Sequence, residues 1–135
     1  MDGVTLTPLK NIKNPRGNVL HVIKKSSIGF NGFGEAYFSL ITKNTIKGWK
    51  KHNQMILNIV VASGKIEFVI FDDRTNKFFQ IILSKDNYQR LSIMPGLWVA
   101  FRGLSDNNML LNIASIEHDP KESVNIGLSE IQYDW

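Results

Sequence analysis

The stretch Lys47-Gly48-Trp49-Lys50-Lys51-His52 holds the side chains of this sequence best suited to moving a proton. An imidazole in its unperturbed form titrates near neutral pH, which fits it for general acid or base work. A lysine amine can act as a base where dry surroundings weaken its hold on the proton; otherwise it is a cation beside developing negative charge. Lys50 and His52 are two residues apart, so on a strand both point to one face. His52 therefore reads as a base or as a structural histidine. Lys50 reads as a base, as a cation for an oxyanion, or as a surface lysine at a strand end.

Other side chains offer less. Glu35 and Tyr37 alternate with Phe38 and Leu40, which puts the polar pair on one strand face, toward a pocket or toward solvent. Trp49 and Trp98 could stack on a flat ligand or pack in a core or interface. His21 sits in an apolar segment and reads as structural or interfacial. His118, just before Asp119-Pro120, suggests a local turn contact, and Asp72-Asp73-Arg74 a turn with a surface ion pair.

Composition removes whole classes of chemistry. There is no cysteine in the 135 residues, which excludes disulfides, thiolate zinc sites and a cysteine nucleophile. The formal charge of +4 suits an anionic partner, but the basic residues are spread from Lys10 to Lys121, as on a solvated surface. Basic residues interleaved with exposed aromatics on one strand face are not evident, so nucleic acid is not an expected partner. No apolar run approaches the roughly 18 residues a spanning helix needs, and the start lacks a signal-peptide pattern. The expectation is one domain over 1–135, cytoplasmic and without a membrane partner.

The elements that must position these residues read as strands. Short β-branched and apolar segments recur between turn signals, the pattern of an all-β sandwich or barrel. Expected strands cover Val19–Ile23, Glu35–Thr42, Ile46–Trp49, Met55–Val61, Ile66–Phe71, Phe78–Leu83, Arg90–Met94, Leu97–Arg102 and Met109–Glu117. Ala62-Ser63-Gly64-Lys65 and Ser105-Asp106-Asn107-Asn108 read as hairpin turns joining antiparallel neighbours. Ser84-Lys85-Asp86-Asn87 is a turn or one capped helical turn. Lys24 to Gly34 reads as a loop pinned by Phe30 and Phe33 and able to cover a pocket. The aromatic end Ile131-Gln132-Tyr133-Asp134-Trp135 is expected to dock on the barrel or on a partner subunit.

Lys47 to His52, followed by Gly64 and by Met94-Pro95-Gly96-Leu97-Trp98-Val99, resembles the two motifs of the cupin superfamily, which implies a small jelly-roll barrel. Where cupins carry metal-binding histidines this chain has Lys50 and Val99, and only His52 is kept. One imidazole is too few for a transition metal, so neither metal nor cofactor is expected. Within the cupins, Gly34 to Ser39, Lys47 to His52, Val69 to Arg74, Pro95 to Phe101 and Ile116 to Pro120 resemble the dTDP-4-dehydrorhamnose 3,5-epimerase-like group and the related nucleotide-sugar ketoisomerases.

That resemblance implies proton abstraction next to the carbonyl of a dTDP-linked 4-keto-6-deoxyhexose, in surface polysaccharide and lipopolysaccharide biosynthesis, by a homodimer in which Val4 to Ile23 is the natural donor of strands. It implies His52 and Lys50 as acid and base. It implies Lys47, Glu35, Tyr37, Trp98, Asn112 and Arg102 as substrate contacts, Lys47 as a point charge for the diphosphate. The epimerases' catalytic histidine falls at Lys50, their second histidine at Val99 and their acidic tyrosine at Asn112. Those replacements keep open a second reading, a sugar-nucleotide or glycan-binding cupin without chemistry.

Overall fold

A computed structural model describes all 135 residues. The strands are β1 (Val4–Pro8), β2 (Asn11–Ile12), β3 (Val19–Leu20), β4 (Glu35–Thr42), β5 (Ile46–His52), β6 (Leu57–Ser63), β7 (Lys65–Asp72), β8 (Lys77–Ser84), β9 (Gln89–Ile93), β10 (Trp98–Gly103), β11 (Asn107–Ala114) and β12 (Ser123–Asn125). Helical structure is confined to two short 3-10 turns, Pro120–Glu122 and Leu128–Glu130. No helix is long and apolar enough to cross a membrane.

Two five-stranded sheets, ordered β1-β9-β6-β11-β4 and β12-β5-β10-β7-β8, face each other, and β2 and β3 form a small separate ribbon. All named strand pairs are antiparallel. This is an all-β jelly roll of cupin type. Alternation builds its core: Leu57, Ile59 and Val61 of β6 point inward to meet Ile66, Phe68 and Ile70 of β7.

The turn signals were read as hairpins, and the structure corrects both. Gly64 joins β6 to β7, and Ser105 lies between β10 and β11, yet each pair of strands belongs to different sheets. Gly64 has φ +78°, and a Cβ there would come 2.4 Å from the Asn107 carbonyl oxygen, so the chain crosses between the sheets at close quarters. The long hairpin within a sheet is β7–β8, turned at Asp73 to Asn76.

Other expectations shift. Val19–Ile23 shortens to the two-residue β3. Ser84 makes a turn, its hydroxyl accepting from the N–H groups of Asp86 and Asn87. The loop from Lys24 to Gly34 is pinned by Arg90, whose guanidinium donates to the Val22 and Ile28 carbonyls, and by Asn58, which donates to that of Gly29. Phe33, named as a pin, is 65% exposed. The loop lies against the outer face of the first sheet, and none of its residues lines the main cavity. β1 pairs with β9 of its own chain. Asp119, rather than His118, makes the local turn contact, accepting from Lys121 N–H at 2.9 Å.

Candidate active site

A cavity of about 260 Å³ opens between the sheets, lined on one wall by β4, β6 and β11 and on the other by β5, β10 and Asn125 of β12. Its floor is apolar, from Leu57, Ile59, Val99, Phe101 and Leu110, and its polar groups are few and convergent, as in small-molecule sites generally.

β5 brings three side chains into the cavity because of a bulge. Against β10, Val99 pairs with Lys50 but Phe101 pairs with Lys47, so β5 spends one extra residue there. The extra residue resets the alternation, and Lys47, Lys50 and His52 all line the cavity. Gly48 makes this possible: at φ +148° it presses on β10, where a Cβ would come 2.4 Å from that of Ala100. Lys47 Nζ donates to the Leu40 carbonyl oxygen of β4 at 2.7 Å, tying the two sheets together at the cavity mouth.

His52 is buried, and its Nδ1 meets Oε1 of Glu122 from the 3-10 turn before β12. The other carboxylate oxygen accepts from the N–H groups of Asn53, Gln54 and Met55 at 3.2, 3.1 and 3.2 Å. Burial pushes the Glu122 carboxyl up, but the His52 bond and the N–H groups of Gln54 and Met55 outweigh it and hold the group below its ordinary value. An ionised carboxylate only accepts, so Nδ1 of His52 bears the proton. In the neutral ring Nε2 is then left as a base. Glu122 is seventy positions from His52 in sequence and was not among the residues expected at the site.

Tyr37 and Asn112 complete the opposite wall. They are register partners on β4 and β11, and the Asn112 amide donates to the Tyr37 hydroxyl oxygen at 3.0 Å. Of the expected residues, the structure thus brings together His52, Lys50, Lys47, Tyr37 and Asn112. Glu35 shares the face of Tyr37 but lies outside the cavity lining.

Trp98 and Arg102 belong elsewhere. Trp98 is buried in the second apolar cluster, with its indole N–H on Asp73 at 2.9 Å, and Arg102 pairs with Glu67 at 2.6 Å under Trp135. Both are turned to the outer face of the second sheet by the alternation of β10.

A cupin metal would sit where His52, Lys50 and Val99 now stand, and an imidazole beside an ammonium and an isopropyl group is not a ligand set. No group of three His, Cys, Asp or Glu side chains gathers elsewhere in the chain. The fold and this site define a cupin with an apolar cavity into which an imidazole, two lysines and a phenol converge.

The chain belongs to the family described as FdtA, WxcM-like, C-terminal, whose model matches residues 2–126. It is similar to the dTDP sugar isomerase of Desulfovibrio desulfuricans G20, 31% identical with a TM-score of 0.94 over 99% of this chain and 91% of that one. The 4-keto-6-deoxy sugar epimerase NovW of Streptomyces spheroides shares the fold at 18% identity and a TM-score of 0.86, over 99% of this chain and 75% of its own. So does the sugar 3,4-ketoisomerase QdtA of Thermoanaerobacterium thermosaccharolyticum, solved with TDP, at 21% identity and a TM-score of 0.80 over 92% and 88%. Among curated proteins none matches significantly.

Proposed function

We propose that this protein is an isomerase of a dTDP-linked 4-keto-6-deoxyhexose that relocates a proton next to the keto group. The observation that carries the reading is the Glu122-fixed tautomer of His52, which leaves Nε2 free as a base in an apolar cavity. Nε2 takes the proton from the carbon beside the carbonyl; the C–H electron pair becomes a C=C bond and the carbonyl oxygen takes the negative charge. The Lys50 ammonium, on the same wall, stabilises that oxygen. Returning the proton to the opposite face of the same carbon gives an epimer; returning it to the former carbonyl carbon, while the proton of the neighbouring hydroxyl passes to the former keto oxygen, gives the keto isomer.

The cavity accommodates a hexose ring but not a whole nucleotide sugar, so the diphosphate lies at the mouth, near Lys47. The similarity to a dTDP sugar isomerase supports the nucleotide. Cytoplasmic synthesis of a surface polysaccharide or lipopolysaccharide sugar is the setting such a substrate fits. Phe38 and Leu40, 64% and 66% exposed on edge strand β4, offer the surface for a homodimer.

The test is incubation with dTDP-4-keto-6-deoxyglucose in heavy water, with deuterium entry at C3 and C5 followed by NMR. Exchange is expected, and His52→Gln is expected to slow it by about 10²–10⁴-fold. Binding by calorimetry without exchange would establish the non-catalytic sugar-nucleotide-binding reading instead.

A further inference from the structure

The hydroxyl of Tyr37 has one of its two roles already taken, and the hydrogen-bond chain behind it says which. Asn58 N–H of β6 can only donate, and it donates to Oδ1 of Asn112 at 3.1 Å. That bond fixes the amide: oxygen toward β6, nitrogen toward β4. The nitrogen can only donate, and it meets the Tyr37 oxygen at 3.0 Å. The phenol oxygen therefore accepts from Asn112, and its own proton is free to point into the cavity that both residues line. Asn112 is buried, so the amide is held rigidly, while Tyr37 stands at the half-exposed mouth.

The placement is complementary to the base. His52 and Lys50 come from β5 of one sheet, whereas Tyr37 comes from β4 of the other, so imidazole and phenol reach the cavity from facing walls. Building on the isomerase reading above, we infer that Tyr37 is a catalytic hydrogen-bond donor: its O–H grips the substrate keto oxygen and strengthens its hold as charge develops there. Asn112 is its positioning residue. No bond to Tyr37 forms or breaks in this step; the electron pair released from carbon by His52 comes to rest on the oxygen that Tyr37 and Lys50 share.

The assignment is tested with Tyr37→Phe, Asn112→Asp, their double variant and His52→Gln, using turnover of dTDP-4-keto-6-deoxyglucose and deuterium entry beside its keto group. Tyr37→Phe is expected to lower kcat by about 10²–10³-fold, as for loss of one oxyanion donor, with KM moved less than about threefold. Asn112→Asp keeps the phenol and the bond to Asn58 N–H, but its second oxygen draws the phenol proton away from the cavity, so a comparable loss is expected. Because both act through one hydroxyl, the double variant should be no slower than Tyr37→Phe alone.

Turnover by Tyr37→Phe within about threefold of the unaltered protein, with His52→Gln inactive, would overturn the assignment while leaving the isomerase reading intact. Additive losses in the double variant would overturn the positioning role of Asn112. Undiminished exchange in His52→Gln, or none in the unaltered protein, would remove the isomerase reading and the assignment with it.

Discussion

Along β5, Lys50 and His52 face the cavity, whereas Trp49 and Lys51, their neighbours in the chain, lie on the outer face of the sheet. The inner face gathers a few polar groups on an apolar floor. The outer face is packed with Trp49, Phe71, Phe78 and Trp98 and covered by the C-terminal tail, whose Tyr133 ring lies 5.2 Å from that of Phe78 and whose Trp135 ring lies 6.0 Å from that of Trp49. Ile126 and Trp49 exchange backbone hydrogen bonds at 3.1 and 3.2 Å, which ties the tail to the strand that carries the base. Because successive strand residues point to opposite faces, one short segment serves reactivity and stability with different side chains. The two should separate under substitution.

The largest effect expected on the outer face is from Trp49→Ala. Trp49 is fully buried, and its truncation should cost about 3–5 kcal/mol of unfolding free energy in urea titration. The protein that remains folded should keep kcat within a few-fold. A folded variant with kcat down a hundredfold would show that the two faces are coupled through β5.

Glu122→Gln sharpens the inner side. Its amide oxygen would take over the N–H groups of Asn53, Gln54 and Met55, leaving the NH₂ to face Nδ1. The ring must then accept at Nδ1 and carry its proton on Nε2, the wrong tautomer for a base. A loss of at least about 10²-fold in kcat is expected, with a smaller change in KM.

The native pair also has a pH signature. Because the folded carboxyl sits below its ordinary value of 4.5, its stabilising contribution is complete above that value and is lost as pH falls through the lower, folded one. Acid unfolding of the native protein should therefore include a carboxylate component that Glu122→Gln lacks, measurable as a flatter dependence of stability on pH below about 4.5.

Lys51→Ala is the smallest test. Lys51 Nζ sits 2.7 Å from Asp73 and 4.7 Å from the Trp98 ring, at a partly exposed site. The Lys51 and Trp98 bonds hold the Asp73 carboxyl below its ordinary value. Loss of the ammonium should cost less than about 1 kcal/mol and leave turnover unchanged. An activity change here would contradict the division of faces.

How far the sequence could be read depends on the range over which each feature is determined. Glu35–Thr42 was legible to the residue, because its alternation and the glycines just before it, Gly32 and Gly34, are local properties. The same-face placement of Lys50 and His52 follows from strand period once β5 is seen to run to His52, beyond the expected end at Trp49. Lys47 and Lys50, three apart, share a face only through the bulge at Gly48, which depends on how β10 packs. Gly64 and the Ser105-Asp106 pair announced turns but could not say that the chain changes sheets there, since a turn residue fixes local φ and not the partner of the next strand. Trp98 lies within the motif and Arg102 just beyond it, yet both face outward.

By itself, then, the sequence determined the all-β class, the clustering of Lys47, Lys50 and His52 in one short segment, and an aromatic tail made for docking. Only the tertiary structure decided that Glu122, seventy residues on, fixes the tautomer of His52, and that Asn112 donates to the Tyr37 hydroxyl oxygen. Periodicity and residue type are written into neighbours along the chain, whereas tautomer and hydrogen-bond direction are set by whichever group arrives across space.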